Sequence, residues 1–294
     1  MANNDYETNN AVDQGAAPED CTHDCSTCGA SCPSAGGGIQ KAELNQFSSV
    51  KKVIGIVSGK GGVGKSMVTA LSALAASRHG FKTGIMDADI TGPSIPKMFG
   101  IHRKAGASEF GILPEETPME IKIMSINLLT ENETDPVVWR GPVIGGVVEQ
   151  FWTDVVWGDL DVLFIDMPPG TGDVPLTVFQ SLPIDGIIVV TSPQDLVSMI
   201  VTKAVNMAKL MNIPVLGLVE NMSYFECPGC GSRHEIFGPS QAEAVAVENG
   251  IKLLEKLPIN PLLSTEADAG KIEFNEGTEM ESVLEVLAGL GLSN

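Results

Sequence analysis

Residues 53–66 read VIGIVSGKGGVGKS, an apolar run that breaks into a glycine-rich turn and ends on Lys65 and Ser66. The run has the length and β-branched content of a buried strand. Gly59, Gly64, Lys65 and Ser66 fit G-x-x-x-x-G-K-[ST] in full. The stretch 67–78, closed by Gly80, has the apolar period of a helix. Strand, glycine turn and helix N-terminus in that order make a phosphate cradle, because glycines let backbone N–H groups turn inward and the helix end adds positive potential. Lys65 is then expected on the β- and γ-phosphates of a nucleoside triphosphate, and the Ser66 hydroxyl on Mg²⁺. Gly61, Gly62, Val63 and Met67 complete the loop. One residue is left over. Lys60 is a second lysine inside a loop that needs only one.

Outward from this motif, short apolar runs recur at 83–89 (TGIMDAD), 121–129, 161–166 (DVLFID), 186–191 and 214–221. They are apolar throughout, as expected of parallel strands covered on both faces. Segments of helical spacing lie between and after them, at 143–156, 196–211 and 279–290. The alternation predicts an α/β fold, a doubly wound and mainly parallel sheet flanked by helices, with ligands at the carboxyl ends of the strands. Asp166 ends one such strand, where a carboxylate completes the Mg²⁺ shell. It opens DMPPGTGD, whose Gly170 and Gly172 form a backbone segment able to sense a γ-phosphate. Asp87 and Asp89 close another strand, where an aspartate can orient the attacking water or simply cap the strand end.

The 294 residues are 43% hydrophobic, enough for a sizeable core. Eighteen Lys and Arg against 37 Asp and Glu give a net charge of −19, which argues against nucleic acid or anionic lipid as a partner. No run approaches the ~18–20 apolar residues of a membrane span. The N-terminus lacks the features of a secretory signal, so a cytoplasmic location is expected. Residues 1–48 differ from the rest, being rich in Asn, Asp, Ser, Gly and Cys. They read as a flexible tail that a metal can order, ahead of a nucleotide-binding domain over 49–294.

In a reducing compartment the six cysteines point to metal or redox chemistry. Cys21, Cys25, Cys28 and Cys32 can fill a four-thiolate set for a [4Fe–4S] cluster. Zinc, with His23 as a candidate ligand, and no specific metal are the alternatives. Cys227 and Cys230, in CPGC, supply only half of a four-cysteine set. Two copies of the chain would complete it. A thioredoxin-like pair, or a structural zinc drawing on His234, are the rivals.

KGGVGKS, DADITGPSIP, DMPPGTGD and TSPQD occur in this order. Together they resemble the Mrp/ApbC group of P-loop ATPases, iron–sulfur cluster carriers of the MinD-like class, over about residues 50–294. The resemblance implies a homodimer in which Lys60 reaches the phosphates held by the other protomer. It implies Asp89 in water activation, 166–172 as the segment that responds to the γ-phosphate, and Asn221 on the adenine. Cys227 and Cys230 would bridge a [4Fe–4S] cluster between protomers, which ATP-dependent transfer delivers to apo iron–sulfur proteins. No N-K-x-D guanine signature is present, favouring ATP over GTP. Two other functional classes compete. A MinD- or ParA-like spatial ATPase needs a basic helix or surface, whereas TEMESVLEVLAGLGLSN at the C-terminus has no Lys or Arg. An ATP-gated electron donor like the nitrogenase iron protein draws its bridging cysteines from distant positions, unlike CPGC.

Overall fold

Apolar strands buried on both faces can satisfy their backbone groups only by pairing with one another. The computed structural model of the chain describes residues 41–90, 92–130, 141–194, 197–276 and 280–293. Cys21, Cys25, Cys28, Cys32, His23, Trp139 and Asp195 lie outside the described residues. The first strand, β1 (Ser49–Ser58), leads through the glycine turn into α1 (Lys65–Arg78), then β2 (Thr83–Asp87) and a short helix α2 (Ile95–Met98). Three small strands follow, β3 (Gly106–Ser108), β4 (Gly111–Leu113) and β5 (Glu115–Glu116), before β6 (Lys122–Ser125). Next come α3 (Gly141–Thr153), β7 (Asp159–Asp166), α4 (Asp173–Ser181), β8 (Gly186–Thr191) and α5 (Val197–Leu210). The last part holds β9 (Val215–Glu226), β10 (Arg233–His234), α6 (Ala242–Asn249), β11 (Leu253–Pro258), α7 (Pro261–Asp268) and α8 (Ser282–Gly289).

The main sheet runs β10-β9-β8-β1-β7-β2-β6-β5, with β11 also paired to β9. Pairing is parallel from β9 to β6 and antiparallel at the two rims. One face packs α3, α4, α5 and α6 through Phe151, Trp152, Phe179, Val201 and Ala246. The other packs α1, α2, α7 and α8 through Val68, Leu71, Ile95, Leu263 and Leu287. The fold is the doubly wound sheet that the alternation predicts. Trp157 is fully buried and donates its Nε1–H to the Phe151 carbonyl at 2.9 Å. Truncating such a residue to alanine costs about 3–5 kcal/mol. Because β1 sits between β7 and β8, with the β1–β2 crossover running to one side and the β7–β8 crossover to the other, its carboxyl end opens into the crevice where such folds bind ligands.

Two local features differ from the sequence reading. Residues 41–48, grouped with the tail by composition, lie along α3 and α4. Ala42 N–H donates to the Ser181 carbonyl at 2.8 Å, the Trp152 indole donates to the Ala42 carbonyl at 3.0 Å, and Leu44 packs on the core. A short stretch can be polar on average and still present one apolar stripe that covers a tryptophan. The second feature is 231–238 (GSRHEIFG), whose sequence shows the period of neither a strand nor a helix. It contains β10, whose Arg233 and His234 pair with Glu226 and Phe225. A two-residue rim strand carries no periodicity to read. The helix that follows begins at Ala242.

Candidate functional site

Between β1 and α1 the glycine turn has no alternative to glycine at its tightest point. Gly64 caps α1 with φ 80°, and a Cβ there would lie 2.1 Å from the Asn221 amide nitrogen. With glycine at the cap, no side chain satisfies the first-turn N–H groups of α1. Gly64, Lys65, Ser66 and Met67 instead border a cavity of about 550 Å³, together with Gly61, Gly62, Ser58 and Asp89. Asn221, Met222, Pro258, Ile259, Asn260 and Leu263 also line it. The lining thus combines backbone and charged groups with apolar side chains, as a nucleotide requires.

Asp166 is the hub of the charged end. It is fully buried at the end of β7 and accepts three hydrogen bonds, from Lys65 Nζ (2.6 Å), Ser66 Oγ (2.6 Å) and Thr69 Oγ1 (2.9 Å). Lys65 is 6% exposed and also lies 3.8 Å from Asp89. Buried ions at this distance persist only when paired and fully hydrogen-bonded, which Asp166 is. Asp87, one strand away, is also buried. Burial first and the Asp166 carboxylate second push its pKa up to about 8, against the pull of Lys65 and the Ile95 amide. It accepts hydrogen bonds from Ser125 Oγ (3.2 Å) and from the amides of Asp89 and Ile95 (both 3.3 Å). Asp87 thus holds the turn that carries Asp89, which lies two residues past the end of the strand.

The remaining sequence-derived residues fall into place around this centre. Val63 is buried, and its carbonyl accepts from the Asn221 amide at 3.0 Å. Gly59 does not border the cavity; a Cβ there would meet Ile200 at 2.1 Å, so it lets α5 pack on the loop. Gly170 donates its N–H to the Ser58 carbonyl at 2.8 Å, tying the DMPPGTGD segment to the start of the loop. Lys60 points elsewhere. It is half-buried, borders no part of its own chain's cavity, and donates to the Gln194 side chain. Thr69, Ser125 and Gln194 were not singled out from sequence. Thr69 alone had a signal there, one helical turn beyond Lys65 on the same face.

Cys227 and Cys230 lie well away in sequence, at the tip of the β9–β10 hairpin. Cys227 follows β9 directly, its N–H donating to the Ser232 carbonyl at 2.9 Å and its carbonyl accepting from Gly231 at 2.8 Å. Its side chain is half-buried, whereas Cys230 is exposed. Both thiols are free. Cys230 Sγ sits 3.3 Å from Ser232 Oγ. The Ser232 hydroxyl, then its amide, then the Cys227 thiol hold the Cys230 thiol below its ordinary range. Arg233 braces the hairpin, pairing with Glu226 at 3.1 Å and lying over the Tyr224 ring at 4.5 Å. Among the described residues no third His, Cys, Asp or Glu joins this pair into a metal set, His234 included. The pair follows a strand and not a helix N-terminus, which removes the geometric basis of the thioredoxin-like alternative.

A profile of the NUBPL iron-transfer P-loop NTPases matches residues 49–289. The chain belongs to this family. It is 47% identical to the iron-sulfur cluster carrier protein of Clostridium perfringens over 77% of this chain and 82% of that protein. It is 40% identical to the iron-sulfur cluster transfer protein NUBPL of Dictyostelium discoideum over 80% of this chain and 74% of that one. Among solved structures, a nucleotide-binding protein from Archaeoglobus fulgidus in complex with ADP is 42% identical, with TM-score 0.71 over 79% of this chain and 90% of that one. The cell division ATPase MinD of Pyrococcus furiosus shares the fold at 19% identity and TM-score 0.58, over 82% and 98% of the two chains. No helix among the described residues is long and apolar enough to cross a membrane.

Proposed function

We propose that this chain is an ATP-dependent iron–sulfur cluster carrier. It works as a homodimer that shares one [4Fe–4S] cluster through Cys227 and Cys230 of each copy and hands it to apo iron–sulfur proteins. The observation that carries the reading is the half-set: two free thiols at a hairpin tip on a nucleotide-binding domain, with no third ligand among the described residues. The names of the relatives from Clostridium perfringens and Dictyostelium discoideum support it.

ATP enters the 550 Å³ cavity with its base against Asn221, Met222 and Ile259 and its phosphates on the first turn of α1. Lys65 then exchanges Asp166 for the β- and γ-phosphates. Ser66 Oγ and the Asp166 carboxylate are neighbouring hard oxygen donors, the kind Mg²⁺ takes together with water and phosphate oxygens. Bound there, Mg²⁺ would neutralise charge on the phosphates. Asp89 orients the attacking water, and Lys60, facing outward in its own chain, leaves Gln194 for the partner's phosphates. Hydrolysis on this scheme is slow and coupled to cluster transfer, because the interface that completes the ATP site also brings the two cysteine pairs together. In the tail, Cys21, Cys25, Cys28 and Cys32 hold a second cluster, and the nucleotide-binding domain occupies the remainder of the chain.

Iron, acid-labile sulfide and zinc counted per chain after anaerobic purification test the proposal. Tail and bridge together give about six iron and six sulfide per chain, the bridge alone about two, and the tail alone about four. Zinc without sulfide would overturn it.

A further inference from the structure

We propose that Cys230, and not Cys227, is the ligand exchanged when a cluster is handed on, and that the Ser232 hydroxyl receives its departing sulfur. This rests on the carrier reading above. The two cysteines are held differently. Cys227 is fixed through its own backbone on both sides, by Ser232 and Gly231, and its side chain is half-buried. Cys230 lies at the tip, exposed, next to Gly231 with φ 71°. An iron atom held by Cys230 would therefore be open to an incoming thiolate from solvent, while one held by the half-buried Cys227 would be less accessible.

Ser232 connects the pair. Its carbonyl takes the Cys227 N–H, which fixes its backbone, and its Oγ lies 3.3 Å from Cys230 Sγ. In the free thiol the S–H can donate to Oγ. A thiolate can only accept, so the hydroxyl then rotates and donates to sulfur, a reversal a serine can make in place. The exchange balances without a redox partner. An acceptor thiolate forms an S–Fe bond and the Cys230 S–Fe bond breaks. Cys230 leaves with the electron pair as a thiolate, and iron keeps its oxidation state. A hydrogen bond to the leaving thiolate stabilises the step in which that bond breaks, when charge returns to sulfur.

The test uses the full chain loaded anaerobically, with dithiothreitol as acceptor. Ser232→Ala is expected to keep wild-type iron and sulfide content and to release its cluster about five-fold more slowly, the size of one ordinary hydrogen bond. Ser232→Thr, which restores the hydroxyl, should recover the rate. Partial transfer followed by iodoacetamide and peptide mapping should show Cys230 carbamidomethylated before Cys227. Equal release rates in wild type and Ser232→Ala, or Cys227 labelled first, would overturn the assignment while leaving the carrier reading intact. A wild-type chain that holds no iron and sulfide would remove the carrier reading itself.

Discussion

The nucleotide cavity and the cysteine hairpin are built on opposite principles. At the cavity, Asp166 is buried and has three donors of its own chain around it, so the centre is charge-compensated before any ligand arrives. At the hairpin, two thiols are free, one of them fully exposed, and the chain offers them no further metal ligand among the described residues. The first arrangement can exchange internal partners for a ligand's at little cost. The second waits for atoms from outside. A buried site must satisfy itself when empty, because an unpaired charge there costs several kcal/mol; an exposed site has water to do it.

The largest test of this contrast is Lys65→Ala. It leaves Asp166 buried without its cation, so urea unfolding should show a loss of about 3–5 kcal/mol, and calorimetry should show ATP affinity down at least about a hundred-fold. Adding Asp166→Asn should return most of the stability and none of the binding. Cys227→Ser is the matching experiment at the hairpin: about two iron per chain disappear, with unfolding and ATP affinity unchanged. A fall in stability there comparable to that of Lys65→Ala would break the comparison. Lys60→Ala sharpens it, since this lysine lies in the same loop as Lys65 yet borders no part of its own chain's cavity. ATP hydrolysis should drop about a hundred-fold while stability stays within about 0.5 kcal/mol.

The smallest effect is a slope. With its pKa raised from the ordinary carboxylate range to about 8, Asp87 keeps in the folded chain a proton that the unfolded chain has released. Its contribution is fully present below about pH 4 and is lost progressively as pH rises toward 8, by at most about 1.4 kcal/mol per pH unit. Asp87→Asn should flatten the stability of the ligand-free chain between pH 5 and 8. Parallel profiles for the two proteins would show that burial there is already relieved by other means.

The cavity was far more legible in the sequence than the hairpin's surroundings, for a physical reason. A phosphate cradle is local: strand, glycines, lysine, hydroxyl and helix start are consecutive, and each residue type is demanded by backbone geometry or by charge. The strand-end aspartates are legible for the same reason, because parallel strands deliver their carboxyl ends to one edge. What stayed hidden depends on neighbours distant in sequence or on elements too short to carry a period. Ser125 matters because β6 pairs with β2, Gln194 because β8 ends beside the loop, and Ser232 because a two-residue strand folds the hairpin back. Residues 41–48 were misread because a short polar segment shows its apolar stripe only against Trp152.

The sequence by itself determined the sheet, the cradle and the identities of the groups that meet there, since these follow from consecutive residues and from burial on both faces of each strand. Only the tertiary structure decided which way each charge points: Lys65 inward onto Asp166, Lys60 outward onto Gln194, Cys230 into solvent and Cys227 half under the hairpin. Direction is set by packing between elements that the chain joins only after folding, and no pattern of neighbours along the chain encodes it.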